Sequence, residues 1–337
     1  MIRIGVLGTA NIALRRMIPA ILKRDEFEYI GVAVSSPNEW TEEVADPEAF
    51  KAAKIKKAES FREAFGGKIY EGYEELLKDE TVDAVYIPLP PSMHEYWSKK
   101  ALSYNKHVLS EKPFTLTEEA TKEVTTLAEE KGLACFENYG FVLHPQFLEM
   151  KHLLDAGELG EFRLMRAAFT FPFRDASDFR YKKEYGGGAA LDCGGYVVKA
   201  AEEILGEDIE LVDAILHKTE GYDVDIYGDA IFRNPKGQTA QLSFGMDNVY
   251  RCQLEIMGST GSVLSDRTYT APDSFAVELS VNKNGTNEKI TLEPFDQFGA
   301  VLGVFADLIA NREKRETVKE KLIRHAYLVD EVMRRIS

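Results

Sequence analysis

Lys112 lies between a carboxylate and a proline in Ser110-Glu111-Lys112-Pro113, directly after the apolar run His107–Leu109. A lysine held at such a point can polarise and orient an oxygen, or pass a proton to it. Proline fixes φ and carries no N–H, so the chain turns there and the amine is presented from a defined place. A Lys-Pro pair alone is an ordinary strand end. A second stretch adds what it lacks: Tyr185-Gly186-Gly187-Gly188-Ala189-Ala190-Leu191-Asp192-Cys193-Gly194-Gly195-Tyr196-Val197-Val198-Lys199, preceded by Arg180-Tyr181. Three glycines let backbone approach a ligand or another backbone closely. A helix starting near Asp192 would set Asp192, Tyr196 and Lys199 on roughly one face. An acid, a phenol and an amine together suit proton transfer to or from a bound oxygen. Arg180 either anchors a substrate or braces the glycine loop. The competing reading is a solvated helix start with Asp192 as its cap.

A third stretch opens the chain. Ile2–Leu7 is a short apolar strand that runs into Gly8-Thr9-Ala10-Asn11-Ile12-Ala13. This follows the dinucleotide fingerprint with alanine at the second and third glycine positions: a tight turn at Gly8, small residues beside a diphosphate, and a helix N-terminus beneath it. The second strand, Tyr29–Val34, ends in Ser35-Ser36-Pro37-Asn38, with no acid to hold ribose hydroxyls. Ser35 and Ser36, with Arg15 or Arg16 as charge partners, fit a 2′-phosphate, so NADP(H) is expected over NAD(H). A plain Ser-Pro turn with solvated arginines gives the same residues. Pro88-Leu89-Pro90-Pro91 ends another strand, Ala84–Ile87, and feeds a helix beginning at His94. That turn suits the rim under a nicotinamide ring, with His94 a helix-start residue rather than a catalyst.

The elements that position these groups read as two domains, as 337 residues suggest. Strands and helices alternate as far as the strand Leu133–Asn138, the pattern of a doubly wound α/β sheet. Trp40–Lys68 reads as an insertion of one or two surface helices, Tyr73–Leu77 as a short helix and Thr117–Lys131 as another. Helix Leu143–Ala156 leads into alternating strands at Leu164–Phe171, Leu211–His217, Asp225–Phe232, Thr239–Phe244, Tyr250–Gly258, Ala276–Asn282 and Lys289–Leu292. Asn234-Pro235-Lys236-Gly237 and Asn284-Gly285 are hairpin signals. The expected fold is therefore α/β, with a dinucleotide-binding domain over residues 1–140. An α+β domain with a large, mostly antiparallel sheet follows over 141–337. The closing helices, Phe295–Asn311 and Val318–Ile336, are expected to pack back on the first domain. A sheet with one uncovered apolar face predicts a homodimer or homotetramer through that face.

Composition narrows the partners. A formal charge of −15 argues against nucleic acid or an anionic membrane surface. No apolar run approaches the roughly 20 residues of a membrane span. The first strand begins at Ile2, which leaves no room for a signal peptide. Three widely spaced cysteines form neither a disulfide framework nor a zinc site, which predicts a reducing, cytoplasmic setting. No two of the six histidines have helical ligand spacing, so no metal is expected.

Taken together, Gly5-Val6-Leu7-Gly8-Thr9-Ala10-Asn11-Ile12-Ala13, Glu111-Lys112-Pro113 and Gly186-Gly187-Gly188-Ala189 through Asp192-x-Gly194-x-Tyr196 resemble the Gfo/Idh/MocA family of sugar-type oxidoreductases. The resemblance covers essentially the whole chain. It implies a Rossmann domain and hydride transfer between nicotinamide and a carbinol or keto carbon of a sugar. It also implies Lys112 as the catalytic residue and Asp192 and Tyr196 at the substrate. Tyr196 stands where histidine is frequent, and such tyrosine versions resemble the dihydrodiol and xylose dehydrogenase, glucose–fructose oxidoreductase and nucleotide-sugar 3-ketoreductase branches. Ile12-Ala13-Leu14-Arg15-Arg16 and the segment Glu137-Asn138-Tyr139-Gly140-Phe141-Val142 through Gln146 are similar to the last branch. Lys199 departs from the small polar residue common in the tyrosine branches. Cofactor contacts are then expected from Gly8, Thr9, Ala10, Asn11, Ile12, Arg15, Arg16, Ser35, Ser36, Pro88, Leu89, Pro90, His94, Glu111 and Lys112. Substrate contacts are expected from Asn138, Arg180, Tyr181, Asp192 and Tyr196. Free phenols and ammonium groups titrate near ~10, so a cation beside a phenol eases proton transfer at neutral pH. Tyr196 is the preferred proton donor, Lys112 polarises the carbonyl, and Asp192 grips a sugar hydroxyl or holds Lys112. A free-sugar or trans-dihydrodiol dehydrogenase is the alternative, and an NADP-sensing regulator without turnover a third.

Overall fold

The computed structural model describes residues 1–41 and 44–335. The chain divides into two compact units. The first comprises Met1–Thr115, Glu119–Asn138 and Phe298–Leu322; the second comprises Leu116–Glu118, Tyr139–Gln297 and the chain from Ile323 onward. Ile336, the expected end of the closing helix, lies outside the described residues.

The first unit is built on six strands: β1 (Ile2–Leu7), β2 (Phe27–Ala33), β3 (Lys68–Tyr70), β4 (Ala84–Ile87), β5 (His107–Ser110) and β6 (Cys135–Glu137). All pair in parallel in the order β3-β2-β1-β4-β5-β6. β4 is buried at every position, as a strand covered on both faces must be. The order reverses between β1 and β4, and ligands in such sheets bind at that crevice, beyond the strands' carboxyl ends. The first connection is helical from Asn11, passing through a π-turn at Ala13–Met17 into α1 (Ile18–Leu22). One surface helix, α2 (Pro47–Phe65), fills the expected insertion, capped by Asp46, whose side chain accepts from the Ala49 N–H at 3.0 Å. It turns only Ala58 and Phe61 into the core, which is why its sequence reads as polar throughout. Short β3 follows it. Helices α3 (Tyr73–Lys78), α4 (His94–Ser103) and α5 (Glu118–Lys131) complete the alternation.

The second unit begins with α6 (Pro145–Asp155) and carries β7 (Phe162–Thr170), α7 (Gly195–Leu205), β8 (Glu210–Lys218), β9 (Asp225–Arg233), β10 (Thr239–Gly245), β11 (Arg251–Gly258), β12 (Gly261–Ser265), β13 (Val277–Lys283) and β14 (Thr286–Leu292). The eight strands lie in the order β14-β13-β12-β11-β7-β10-β9-β8, antiparallel except for the β7–β10 pair. Gly237 and the Asn284-Gly285 pair take positive φ and close the two expected hairpins. One sheet face packs against Phe147, Met150 and Leu153 of α6 and Val197, Val198 and Ala201 of α7. The other is open at β8 and β9, where Val212, Ile215, Tyr227 and Ile231 are exposed. Helices α8 (Gln297–Ala310) and α9 (Arg315–Met333) close the chain. All three cysteines are free and buried, and no described helix is long and apolar enough to cross a membrane.

Candidate active site

In the first unit, β1 is followed by Gly8 with φ +101°, and the Gly8 N–H donates to the Ala33 carbonyl at 2.9 Å. Only glycine takes that conformation without strain. A Cβ there would also stand 2.8 Å from the Leu89 side chain. Thr9 and Ala10 are half-buried, Asn11 and Ile12 exposed, so this turn offers its backbone to a ligand at the crevice. Arg15 is exposed, and Arg16 lies 6.0 Å over the Phe298 ring.

Past β2, Ser35 is buried and its carbonyl accepts from the Trp40 indole at 3.2 Å. The nearest acid here is Glu39, which sequence reading passed over. Its carboxylate accepts the N–H groups of Ser36 at 2.7 Å and of Tyr73 and Glu74 at 2.9 Å. It caps the start of α3, where the helix dipole favours an anion. Three backbone donors already occupy it, so it is poorly placed to grip ribose hydroxyls. A cleft of about 610 Å³ opens beside these residues, lined by Ser36, Asn38, Trp40, Ser92, Met93 and Tyr96 among others. That volume falls in the usual range for small-molecule sites.

Lys112 follows β5 and is half-buried. The residues on either side of it are pinned. The Glu111 carboxylate accepts from the Tyr86 hydroxyl and from Asn138 Nδ2 at 2.6 Å. The Pro113 carbonyl stands 2.7 Å from His94 Nδ1, and the Lys112–Pro113 bond is cis. Glu137 accepts the Phe114 N–H at 2.6 Å. Asn138, expected at the substrate, is thus a brace for Glu111. Tyr86, a fully buried strand residue, gave no signal in the sequence beyond that of a core aromatic.

In the second unit the glycine loop is held from two directions. The Arg180 carbonyl accepts the Gly188 N–H at 2.9 Å, and Asp225 Oδ2 accepts the Ala190 N–H at 2.6 Å. Gly188 has φ +123°, and a Cβ there would overlap Asp225 Oδ1. Arg180 Nε reaches Asp192 at 2.8 Å and its Nη1 reaches Asp178 at 3.1 Å. Burial opposes the guanidinium charge, but the two carboxylates outweigh it and raise Arg180 above its ordinary range. Arg180 is therefore a brace whatever else it touches. Tyr181 is buried, donating its hydroxyl to the Met246 carbonyl at 2.9 Å and accepting the Arg174 N–H, also at 2.9 Å. It serves the loop rather than a substrate.

Asp192 lies within a π-turn, Ala190–Gly194, that precedes α7. The expected regular helix from Asp192 is displaced by that turn, and the three side chains part company. Asp192 meets Arg180, whereas Lys199 is buried against Glu202 at 2.9 Å and Glu203 at 3.1 Å. Tyr196 is half-buried, edge-on to Tyr139 at 5.0 Å and to Phe169 at 5.1 Å between ring centroids. This arrangement fixes a phenol and a carboxylate beside one glycine loop.

Burial pushes the Asp225 carboxyl up to about 6, against the pull of its backbone donors. A carboxyl raised in the fold contributes stability below its unfolded pKa near 4 and loses that contribution as pH rises through the folded value. Asp225→Asn is therefore expected to gain in melting temperature relative to the parent between pH 4 and pH 7. Two pKa units correspond to at most about 3 kcal/mol of relative change. A melting-temperature difference that stays flat across those pH values removes Asp225 as the titrating group.

Comparisons with known proteins agree with this two-part fold. The profile of an oxidoreductase family with an NAD-binding Rossmann fold matches residues 2–139. That of the GFO/IDH/MocA C-terminal domain matches residues 147–264. A dTDP-3,4-didehydro-2,6-dideoxy-alpha-D-glucose 3-reductase from Actinomadura kijaniata is 37% identical over 98% of this chain and 94% of its own length. A D-xylose 1-dehydrogenase (NADP(+)) from Haloferax volcanii is 28% identical over 97% of this chain and 95% of its own. The crystal structure of a 3-ketoreductase from A. kijaniata, in complex with NADP and TDP-benzene, superposes with a TM-score of 0.91 at 36% identity, covering 99% of this chain and 98% of that one.

Proposed function

Because the chain belongs to the Gfo/Idh/MocA oxidoreductases, with their NAD-binding Rossmann fold, we propose that it is an NADP(H)-dependent reductase of a keto group on a nucleotide-linked sugar. The first unit, which Phe298–Leu322 joins, holds the cofactor, and the second unit holds the sugar. The observation that carries this reading is the pinned Lys112 turn, fixed through Glu111 on one side and Pro113 on the other, at the carboxyl end of β5. The cofactor supplies a hydride to the carbonyl carbon when bound. The open Gly8 turn is suited to its diphosphate and the cleft by Ser36 to its adenosine end, with Glu39 occupied. Lys112 orients and polarises the carbonyl oxygen, and Tyr196 Oη delivers the proton to that oxygen. Asp192, steadied by Arg180, accepts a neighbouring sugar hydroxyl.

The likeness to the 3-reductase and to the TDP-benzene complex favours a nucleotide-linked substrate. The likeness to the xylose dehydrogenase supports a second reading, oxidation of a free sugar. NADPH oxidation with a TDP- or UDP-linked keto-sugar separates them from NADP+ reduction with xylose or a trans-diol. The first reading expects kcat/KM at least about 10²-fold higher on the nucleotide-linked sugar, since binding energy from a remote group is used at the reacting centre. Turnover of xylose or diols alone overturns it. The open apolar strip on β8 and β9 is assigned to a second copy of the chain, giving a dimer or tetramer. Ile215→Glu with Ile231→Glu should then lower the mass measured by light scattering, and a parent protein of monomer mass removes the assignment.

A further inference from the structure

His94 is fully buried, and nothing in the proton transfer above uses it. Its ring spans two turns. Nδ1 is 2.7 Å from the Pro113 carbonyl, and Nε2 is 2.7 Å from the Leu89 carbonyl. Those carbonyls belong to the connections after β5, which carries Pro113, and after β4, which carries Pro88, Pro90 and Pro91. Pro88, Pro90, Pro91 and Pro113 have no N–H, so these turns are short of the backbone donors that tie loops together. A buried carbonyl left without a donor is costly, and the imidazole stands within hydrogen-bond distance of both carbonyls.

A neutral ring donates to one of the two carbonyls and a charged ring to both. Burial pushes His94 below its ordinary value, against the pull of the carbonyls. The neutral ring ties one turn by a hydrogen bond and packs against the carbonyl of the other, and the charged ring ties both. The Leu89 side chain in turn fills the space that a Cβ on Gly8 would need, 2.8 Å away. Leu89 is therefore held by His94 through its backbone and rests on the Gly8 turn through its side chain.

The geometry points to His94 as a positioning residue: a clasp that joins the Leu89 rim of the cofactor site to the Pro113 end of the Lys112 turn. It acts on the reaction only through those two neighbours. The inference rests on the reading of Lys112 and of the cofactor site given above.

Two amide variants test it, because each keeps a different half of the clasp. The Asn amide nitrogen falls where Nδ1 stands, so His94→Asn keeps the tie to Pro113 and releases Leu89. The Gln amide nitrogen falls where Nε2 stands, so His94→Gln keeps Leu89 and releases Pro113. Misplacement of a reacting group by about 1 Å can cost ~10²-fold. On that scale His94→Gln is expected to lower kcat at least about ten-fold, with cofactor KM nearly unchanged. His94→Asn should raise cofactor KM while lowering kcat less than about three-fold. With NADPH deuterated at C4, the isotope effect on kcat should grow in His94→Gln, because hydride transfer becomes slower relative to release. Equal losses in both variants, or a loss that follows the folded fraction at an unchanged isotope effect, overturn the assignment. If one variant fails to fold, the other decides by its own split between kcat and KM. If the parent enzyme turns over no sugar at all, it is the functional reading that fails. The clasp is then judged by NADPH affinity in fluorescence titration, where His94→Asn must bind more weakly than His94→Gln.

Discussion

Lys112→Ala is expected to lower kcat by at least about 10²-fold, the usual contribution of a positioned acid–base group, while leaving the fold and NADPH affinity close to those of the parent. The size of the effect follows from how the residue is mounted. Glu111 is fixed by Tyr86 and Asn138, and Pro113 faces His94, so the backbone on both sides of Lys112 is set by contacts its own side chain does not make. Removal of the side chain therefore deletes the amine without releasing the turn. Steady-state kinetics with a keto-sugar nucleotide, alongside a melting curve and a cofactor titration, make the measurement. An alanine enzyme that turns over at the parental rate removes Lys112 from the chemistry.

Tyr196→Phe is the second large effect, again about 10²-fold or more in kcat if the hydroxyl delivers the proton. The ring is packed by four aromatic neighbours, edge-on to Tyr139 and Phe169 and tilted against Phe141 and Tyr269. Phenylalanine keeps that packing, so the melting temperature should barely move and the kinetic loss reports the hydroxyl alone. The combination with Lys112→Ala is more telling than either change alone. Groups that act on the same oxygen in one step are strongly non-additive. The double variant should therefore lose little beyond the more damaging single change. Multiplicative losses would mean that the amine and the phenol serve separate steps.

Much of this architecture was legible because its signals are local. The run Ile2–Leu7 into Gly8, the strand into Lys112, and the hairpin pairs at Asn234–Gly237 and Asn284-Gly285 each state their own geometry in a few residues. The sheet class followed from alternation of elements, which survives errors of a residue or two at each end. What escaped the sequence depends on partners far along the chain. β3 has three residues and β12 five, and each is a strand because of the neighbour it pairs with, not because of its own pattern. The two π-turns, at Ala13–Met17 and Ala190–Gly194, shift the helical phase in a way that no spacing argument anticipates. The second displaced the expected common face of Asp192, Tyr196 and Lys199. Glu39 drew no notice in the sequence, and Tyr86 and Asp225 stood out only as members of their strands. Their roles appear only when the backbone donors or the carboxylate they meet are in place. Lys199 was the converse case, a lysine that looked available for chemistry and is held by two glutamates.

The threading of the first unit has a consequence for how the protein is made. Its last contribution, Phe298–Leu322, arrives after nearly the whole second unit has been synthesised. At ordinary translation speeds the roughly 180 residues between Asn138 and Leu322 take about 10–40 s to emerge. During that interval the first unit lacks its last segment. Because Phe298–Leu322 belongs to the first unit, that unit cannot be complete until most of the second has been synthesised.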